Sequence, residues 1–275
     1  MSAATRIASG LTQLAAEIEG EGIPVAFLHA GVADRRMWRD QLALLAQPPA
    51  RYRAIAYDRR GFGESLHADE RYSHVDDLLA VLDAQAGGAP AILVGCSQGG
   101  RIALDAALAH PDRVRALLLV APAVSGAPKV DSFPPAIARW IESVEKAEAT
   151  ADVDQLNALE AHAWLDGPLA AEGRVSGPAR ELFLAMNELA LRAEQRGAEI
   201  EPAPAYPRVD EIAVPTLVVW GDLDFPHVAG NCAHLGMRMP AARTHVLRDA
   251  AHLPNLEYPA QFNRLLDDFL TSITQ

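Results

Sequence analysis

Residues 95–99 read Gly95-Cys96-Ser97-Gln98-Gly99, directly after the apolar run Ala91–Val94 and directly before a stretch of helical periodicity. A G-x-S-x-G in that setting predicts a strand that turns sharply into a helix. So tight a turn forces its central residue into a strained backbone conformation, and the residues two places away on either side must be small. Gly95 and Gly99 meet that requirement. The expected outcome is a Ser97 hydroxyl held out at the carboxyl edge of a sheet, with the N-terminus of the next helix beneath it.

The rest of the chain supplies strands and helices to surround this turn. Short apolar runs at Val25–His29, Ala54–Tyr57, Ala91–Val94, Ala116–Val120 and Leu217–Trp220 read as buried strands, with a weaker one at Thr244–Arg248. Leu11–Glu19 reads as an earlier, antiparallel strand. Apolar stripes of helical spacing fall between them, at Met37–Ala46, Tyr72–Gln85 and Gln98–His110, and again at Pro259–Ile273. Pro111 ends the third. Strands alternating with helices of this length predict an α/β fold with a mostly parallel sheet flanked by helices. The alternation stops after Ser125. Residues 125–208 carry only helix-like runs, at Pro135–Ala149, Val153–Trp164 and Pro178–Arg196, and offer no strand. They are expected to form a helical cap on a core of residues 1–124 and 209–275.

Composition excludes several roles. Half of the 275 residues are hydrophobic and 22 % are charged, as expected for a globular chain. A formal charge of −12 repels phosphate backbones, so no nucleic-acid partner is expected. Two cysteines, Cys96 and Cys232, provide no disulfide framework, and no zinc-ligand spacing occurs. The first residues lack a long apolar segment, and no run approaches the roughly 18 apolar residues that a membrane span needs. The expectation is a cytoplasmic protein with no membrane partner.

A serine hydroxyl is a poor nucleophile at neutral pH unless a base accepts its proton and a third group orients that base. Such groups belong on loops at the carboxyl ends of strands. Gly221-Asp222-Leu223-Asp224 follows the strand Leu217–Trp220 and offers two carboxylates. Asp249-Ala250-Ala251-His252 follows the last strand and offers an imidazole. The order Ser…Asp…His suits a nucleophile-elbow enzyme.

With those blocks in place, the chain resembles the α/β-hydrolase superfamily over nearly its whole length apart from the cap. The resemblance rests on Phe27-Leu28-His29-Ala30-Gly31, Asp58-Arg59-Arg60-Gly61-Phe62-Gly63, Gly95–Gly100, Trp220–Asp224 and Ala251–Pro259. It is nearest in kind to small bacterial serine esterases, enol-lactonases and haloperoxidase-like hydrolases. The resemblance implies Ser97 as nucleophile, His252 as base and Asp224 as orienting acid, Asp224 being preferred to Asp222 by its spacing from Gly221. It implies an oxyanion hole built from the backbone N–H of Gln98 and that of Gly31, with Ala30 the alternative, because the loop reads His-Ala-Gly where the family more often has His-Gly. It implies a small-molecule ester or lactone substrate, no metal and no cofactor. A serine C–C bond hydrolase of a ring-cleavage product and a non-catalytic ligand-binding member of the fold are the rival readings.

Other residues read as structural. Cys96 is expected to be buried packing, His29 to support its loop, and Asp58-Arg59-Arg60-Gly61 to form a turn. Trp140 and Trp164, with Phe133, lie in the cap and are candidates for the substrate pocket.

Overall fold

Why the elbow sits where it does follows from the sheet that carries it. The computed structural model describes residues 5–194 and 196–274. In chain order the strands are β1 (Thr5–Ser9), β2 (Thr12–Gly20), β3 (Ile23–Leu28), β4 (Tyr52–Tyr57), β5 (Arg71–Tyr72), β6 (Ala91–Cys96), β7 (Val114–Val120), β8 (Ala198–Glu199), β9 (Thr216–Gly221) and β10 (Ala242–Leu247). Eight of them form one sheet in the order β1-β2-β4-β3-β6-β7-β9-β10. β1 and β2 pair antiparallel, as do β2 and β4. From β4 to β10 every pairing is parallel.

The helices are α1 (Arg39–Leu45), α2 (His74–Ala86), α3 (Gln98–Ala109), α4 (Pro135–Ala149), α5 (Val153–Glu160), α6 (Pro178–Arg192), α7 (Pro226–Arg238), α8 (Pro254–Glu257) and α9 (Pro259–Thr274). Among the described residues, no helix is long and apolar enough to cross a membrane.

Alternation along the strands builds two cores, one on each face. In β6, Ala91 and Leu93 pack with Leu78 and Leu82 of α2, Ile102 of α3 and Cys232 of α7. Ile92, Val94 and Cys96 point the other way, toward Leu42 of α1 and Phe262 and Leu266 of α9. Trp38 is fully buried there between Phe27 and Phe262, with ring centres 5.3 and 6.1 Å away. A strand buried on both faces is apolar at every position, which is why the β6 run carries no polar alternation.

Several expectations need correcting. The run Met37–Ala46 is a 3₁₀ turn over Arg35–Trp38 followed by α1, because Asp34 caps the tighter turn by accepting from Arg36 N–H. Helix α2 starts at His74 rather than Tyr72, because the Ser73 hydroxyl accepts from Asp76 N–H. Helix α5 ends at Glu160, and Ala161–Asp166 continues as a wider π-helical turn stopped at Gly167. Helix α6 ends at Arg192, short of Arg196. The segment 125–208 does contain a strand. β8 pairs in parallel with β5, and Ile200 N–H donates to Tyr72 O at 2.7 Å. A two-residue strand shows no periodicity, so nothing in the sequence marks it.

Candidate active site

Ser97 sits between β6 and α3 at φ 52° and ψ −114°, a conformation that costs a non-glycine residue of the order of 1–3 kcal/mol. Neighbouring hydrogen bonds hold it there. Ser97 N–H donates to Val120 O at 2.9 Å, and Ser97 O accepts from Arg101 N–H and Ala123 N–H, both at 3.0 Å. The flanking glycines are dictated by space. A Cβ on Gly95 would lie 2.4 Å from Gly99 O, and one on Gly99 would lie 2.1 Å from Leu28 O.

The loop after β9 brings Asp224 inward. Its Oδ1 accepts from Phe225 N–H at 2.7 Å, and its Oδ2 lies 2.7 Å from His252 Nδ1. Both side chains are almost wholly buried. An Nδ1–H donated to the carboxylate leaves Nε2 of His252 free to accept a proton. Asp222, the alternative carboxylate, turns elsewhere. Its Oδ1 accepts from Asp249 N–H at 2.7 Å and so ties the β9 loop to the β10 loop.

The segment after α5 docks onto the histidine. His252 N–H donates to Trp164 O at 3.2 Å, and the two rings lie 4.6 Å apart between centres. The π-helical turn is what presents Trp164 there. Trp140 stands one layer further back. It packs on Trp164 and Phe225, and its indole N–H donates to Leu159 O at 3.0 Å. Phe133 packs edge-on against His227.

Ser97 and His252 open into one cavity of about 340 Å³. Gly31, Val32 and Gln98 line one side, and residues of the loop after β7, from Ala121 to Pro128, form an apolar wall. Trp164 lines it and Trp140 does not. Among the described residues, no Asp, Glu, Lys or Arg side chain lines this cavity. Its polar contributions besides Ser97, Gln98 and His252 are His227 and Asn231, four apart on α7 and hence on one helix face. Burial lowers the His227 pKa and favours its neutral form. Neither residue was singled out in the sequence. The signal for them was Pro226 opening a helix whose buried positions are Val228, Cys232 and Leu235.

Gln98 opens α3, so its N–H is one of the helix donors with no intrahelical acceptor. Gly31 faces it, since a Cβ added there would lie 3.4 Å from Gln98 Cγ. Ala30 N–H is turned away toward Met37 Sδ at 3.4 Å. Cys96 points into the core beneath, 3.7 Å from His252 O, and burial pushes its thiol pKa up. Among the described residues, no three His, Cys, Asp or Glu side chains are grouped so as to hold a metal ion.

A longer clasp supports the histidine loop. Glu257 accepts from Ala251 N–H at 2.9 Å and pairs with Arg174, which also donates to Asp249 O and Leu165 O at 2.8 and 2.9 Å. Burial raises the Glu257 carboxyl to about 7, opposed by Arg174. Arg174→Met should therefore destabilise the fold by about 3 kcal/mol at alkaline pH, where the buried carboxylate loses its cation. Both Arg174 contacts hold the Glu257 pKa down, so the variant's folded-state pKa lies above that of wild type; the deficit grows as pH rises from the wild-type value through the variant's, and shrinks as Glu257 protonates. Urea unfolding of wild type and variant at about pH 5.5 and about pH 8.5 measures this, and a deficit that grows toward low pH contradicts it.

Residues 25–265 match the model of the Alpha/beta hydrolase family. Among similar proteins, a pimeloyl-[acyl-carrier protein] methyl ester esterase from Aeromonas hydrophila is 27 % identical, covering 91 % of this chain and 96 % of that protein. A 2-hydroxy-6-oxo-6-phenylhexa-2,4-dienoate hydrolase from Burkholderia cepacia is 30 % identical, covering 92 % and 89 %. The crystal structure of an enol-lactonase from Burkholderia xenovorans superposes with a TM-score of 0.75 at 26 % identity, covering 97 % of this chain and all of that one.

Proposed function

The chain belongs to the Alpha/beta hydrolase family and is a hydrolase of that fold, and from this premise we propose that it cleaves small, neutral carboxylic esters or lactones through an acyl-enzyme on Ser97. Ser97 Oγ attacks the carbonyl carbon while His252 Nε2 takes its proton. Asp224, 2.7 Å from Nδ1, keeps the imidazole in the accepting tautomer and stabilises the imidazolium that forms. The oxyanion of the tetrahedral intermediate is held by the N–H groups of Gln98 and Gly31, donors aimed before the charge develops. His252 then protonates the leaving alkoxide oxygen. In the second half it deprotonates water, which releases the acid and restores Ser97.

The observation that carries the substrate class is the lining of the cavity. It joins Ser97 to His252 and presents apolar surface, His227 and Asn231, with no charged side chain among the described residues. A substrate carboxylate would be desolvated there without a cation to receive it, which is costly. This favours esters and lactones over the dienoates named for the Burkholderia cepacia relative, whose carboxylate is part of the molecule.

The test compares neutral p-nitrophenyl acetate and butyrate and simple γ-lactones with the anionic mono-p-nitrophenyl succinate. The neutral esters should exceed the anionic one in kcat/KM by at least about tenfold, the worth of one unmet polar contact. A preference for the anion overturns the neutral-substrate reading. Failure of a fluorophosphonate to label Ser97 in the folded protein favours a ligand-binding role instead.

A further inference from the structure

The Asp58-Arg59-Arg60 turn contains two arginines in opposite circumstances. Arg60 is held by Asp77 and Glu70 at 2.7 and 2.5 Å. Asp58 is taken by Arg35 and by the backbone N–H of Arg35 and Glu64. Arg59, between them, is 4 % exposed and has no carboxylate within ion-pair distance among the described residues. Among the described residues its Nε has no hydrogen-bond partner. Its guanidinium lies 4.3 Å from the centre of the Phe62 ring. A buried cation without a counter-ion is costly, so a fold that keeps one invites a functional reason.

The group that Arg59 does bind is the carbonyl oxygen of Ala30, at 3.2 Å from Nη2. His29 Nδ1 reaches the same oxygen at 2.7 Å. The tautomer is fixed from behind, because Arg59 N–H donates to His29 Nε2 at 2.9 Å. Nδ1 is therefore the protonated nitrogen and a donor to Ala30 O. Burial and the Arg59 charge together keep this imidazole neutral. Burial lowers Arg59 itself only to about 10, so it stays a cation at neutral pH.

The peptide so held is Ala30–Gly31. A trans peptide carries its C=O and its N–H on opposite edges. Two donors, one of them charged, pull on the oxygen edge. The Gly31 N–H on the other edge is thereby polarised, since hydrogen bonds in series strengthen one another in a low-dielectric interior. A carboxylate beside Arg59 would cancel its field at the oxyanion hole. The charges that act on Arg59 from further off, Glu199 and Arg101, are paired with each other at 2.7 Å, so with a ring face and a carbonyl as its direct partners most of that field is left standing.

We infer that Arg59 is a positioning residue for hydrolysis: with His29 it clamps the Ala30–Gly31 peptide and polarises the Gly31 N–H toward the oxyanion. This rests on the reading of Gly31 as an oxyanion donor. The proton inventory is unchanged, because Arg59 and His29 keep their protons throughout. The effect belongs to the transition state, where negative charge appears, and only weakly to the bound ester.

The experiment measures p-nitrophenyl acetate turnover and inhibition by phenylboronic acid, which forms an anionic tetrahedral adduct on a serine. Arg59→Gln should lower kcat about 10- to 100-fold, less than deletion of a hole donor, and leave KM within about twofold. Phenylboronic acid should bind more weakly by a comparable factor. Arg59→Lys, which keeps a charge, should recover most of both losses. Thermal midpoints are read in parallel, and Arg59→Met replaces the glutamine variant where that one does not fold. Unchanged kcat and boronate affinity in a folded charge-removing variant overturns the inference, as does a lysine variant no better than glutamine. A wild-type protein whose Ser97 resists fluorophosphonate overturns the reading beneath it, whereas normal labelling with an indifferent Arg59 overturns this inference alone.

Discussion

Ser97→Ala is expected to lower kcat for p-nitrophenyl acetate by about four orders of magnitude or more, leaving the rate that the oxyanion donors and binding provide alone. The loss should be chemical and not structural. The strained φ of 52° is imposed by the backbone bonds of Ser97 to Val120, Arg101 and Ala123, and alanine carries the same Cβ. The thermal midpoint of the variant should therefore stay close to that of wild type. Cys96→Ala is the contrasting control. The Cys96 thiol is fully buried and its pKa is raised by that burial, so it supplies no thiolate. Its replacement should leave kcat within about threefold, the scale of a small packing change. A Ser97→Ala protein that turns over at the wild-type rate while Cys96→Ala is inactive would transfer the nucleophile to sulfur.

How far the sequence reached depended on how local each constraint was. The elbow was legible because its cause is local: Gly95 and Gly99 lie where a Cβ would meet Gly99 O and Leu28 O, and the strand before them is uniformly apolar. The parallel sheet and the position of α9 were legible for the same reason, through periodicity over many residues. The two-residue strand β8 was not, since pairing with β5 leaves no pattern in so short a segment. β1 went unread because only Ile7 and Ser9 of its five residues are buried. Helix α7 carried a readable stripe, Val228, Cys232 and Leu235, and with it His227 and Asn231 could have been placed in the cavity. The Arg174–Glu257 pair joins residues 83 apart. Contacts of that kind depend on how the helical segment docks, which no local rule encodes. Arg59 looked like the rest of a charged turn, and only its lack of a carboxylate partner among the described residues, visible in three dimensions, sets it apart from Arg60.

The choice between Asp222 and Asp224 is where structure adds most to spacing, and Asp224→Asn exposes it. The amide oxygen of the asparagine can keep accepting from Phe225 N–H, the bond now made by Oδ1 at 2.7 Å. Its NH₂ then takes the place of Oδ2 and faces His252 Nδ1. Two donors cannot share that contact, so the ring proton moves to Nε2, the nitrogen that accepts from Ser97 in the proposed mechanism. With the geometry kept and the tautomer inverted, kcat should fall about 10³- to 10⁴-fold at neutral pH. The fold should persist, because the exchange is isosteric. Asp222→Asn keeps its oxygen acceptor for Asp249 N–H and should cost no more than about threefold, the range of an ordinary surface substitution. Nitrogen-15 shifts of the His252 ring give a second readout that a merely structural role would not move. They should report Nδ1–H in wild type and Nε2–H in Asp224→Asn. An Asp224→Asn enzyme with wild-type turnover, beside an inactive Asp222→Asn, would hand the orienting role to the other carboxylate.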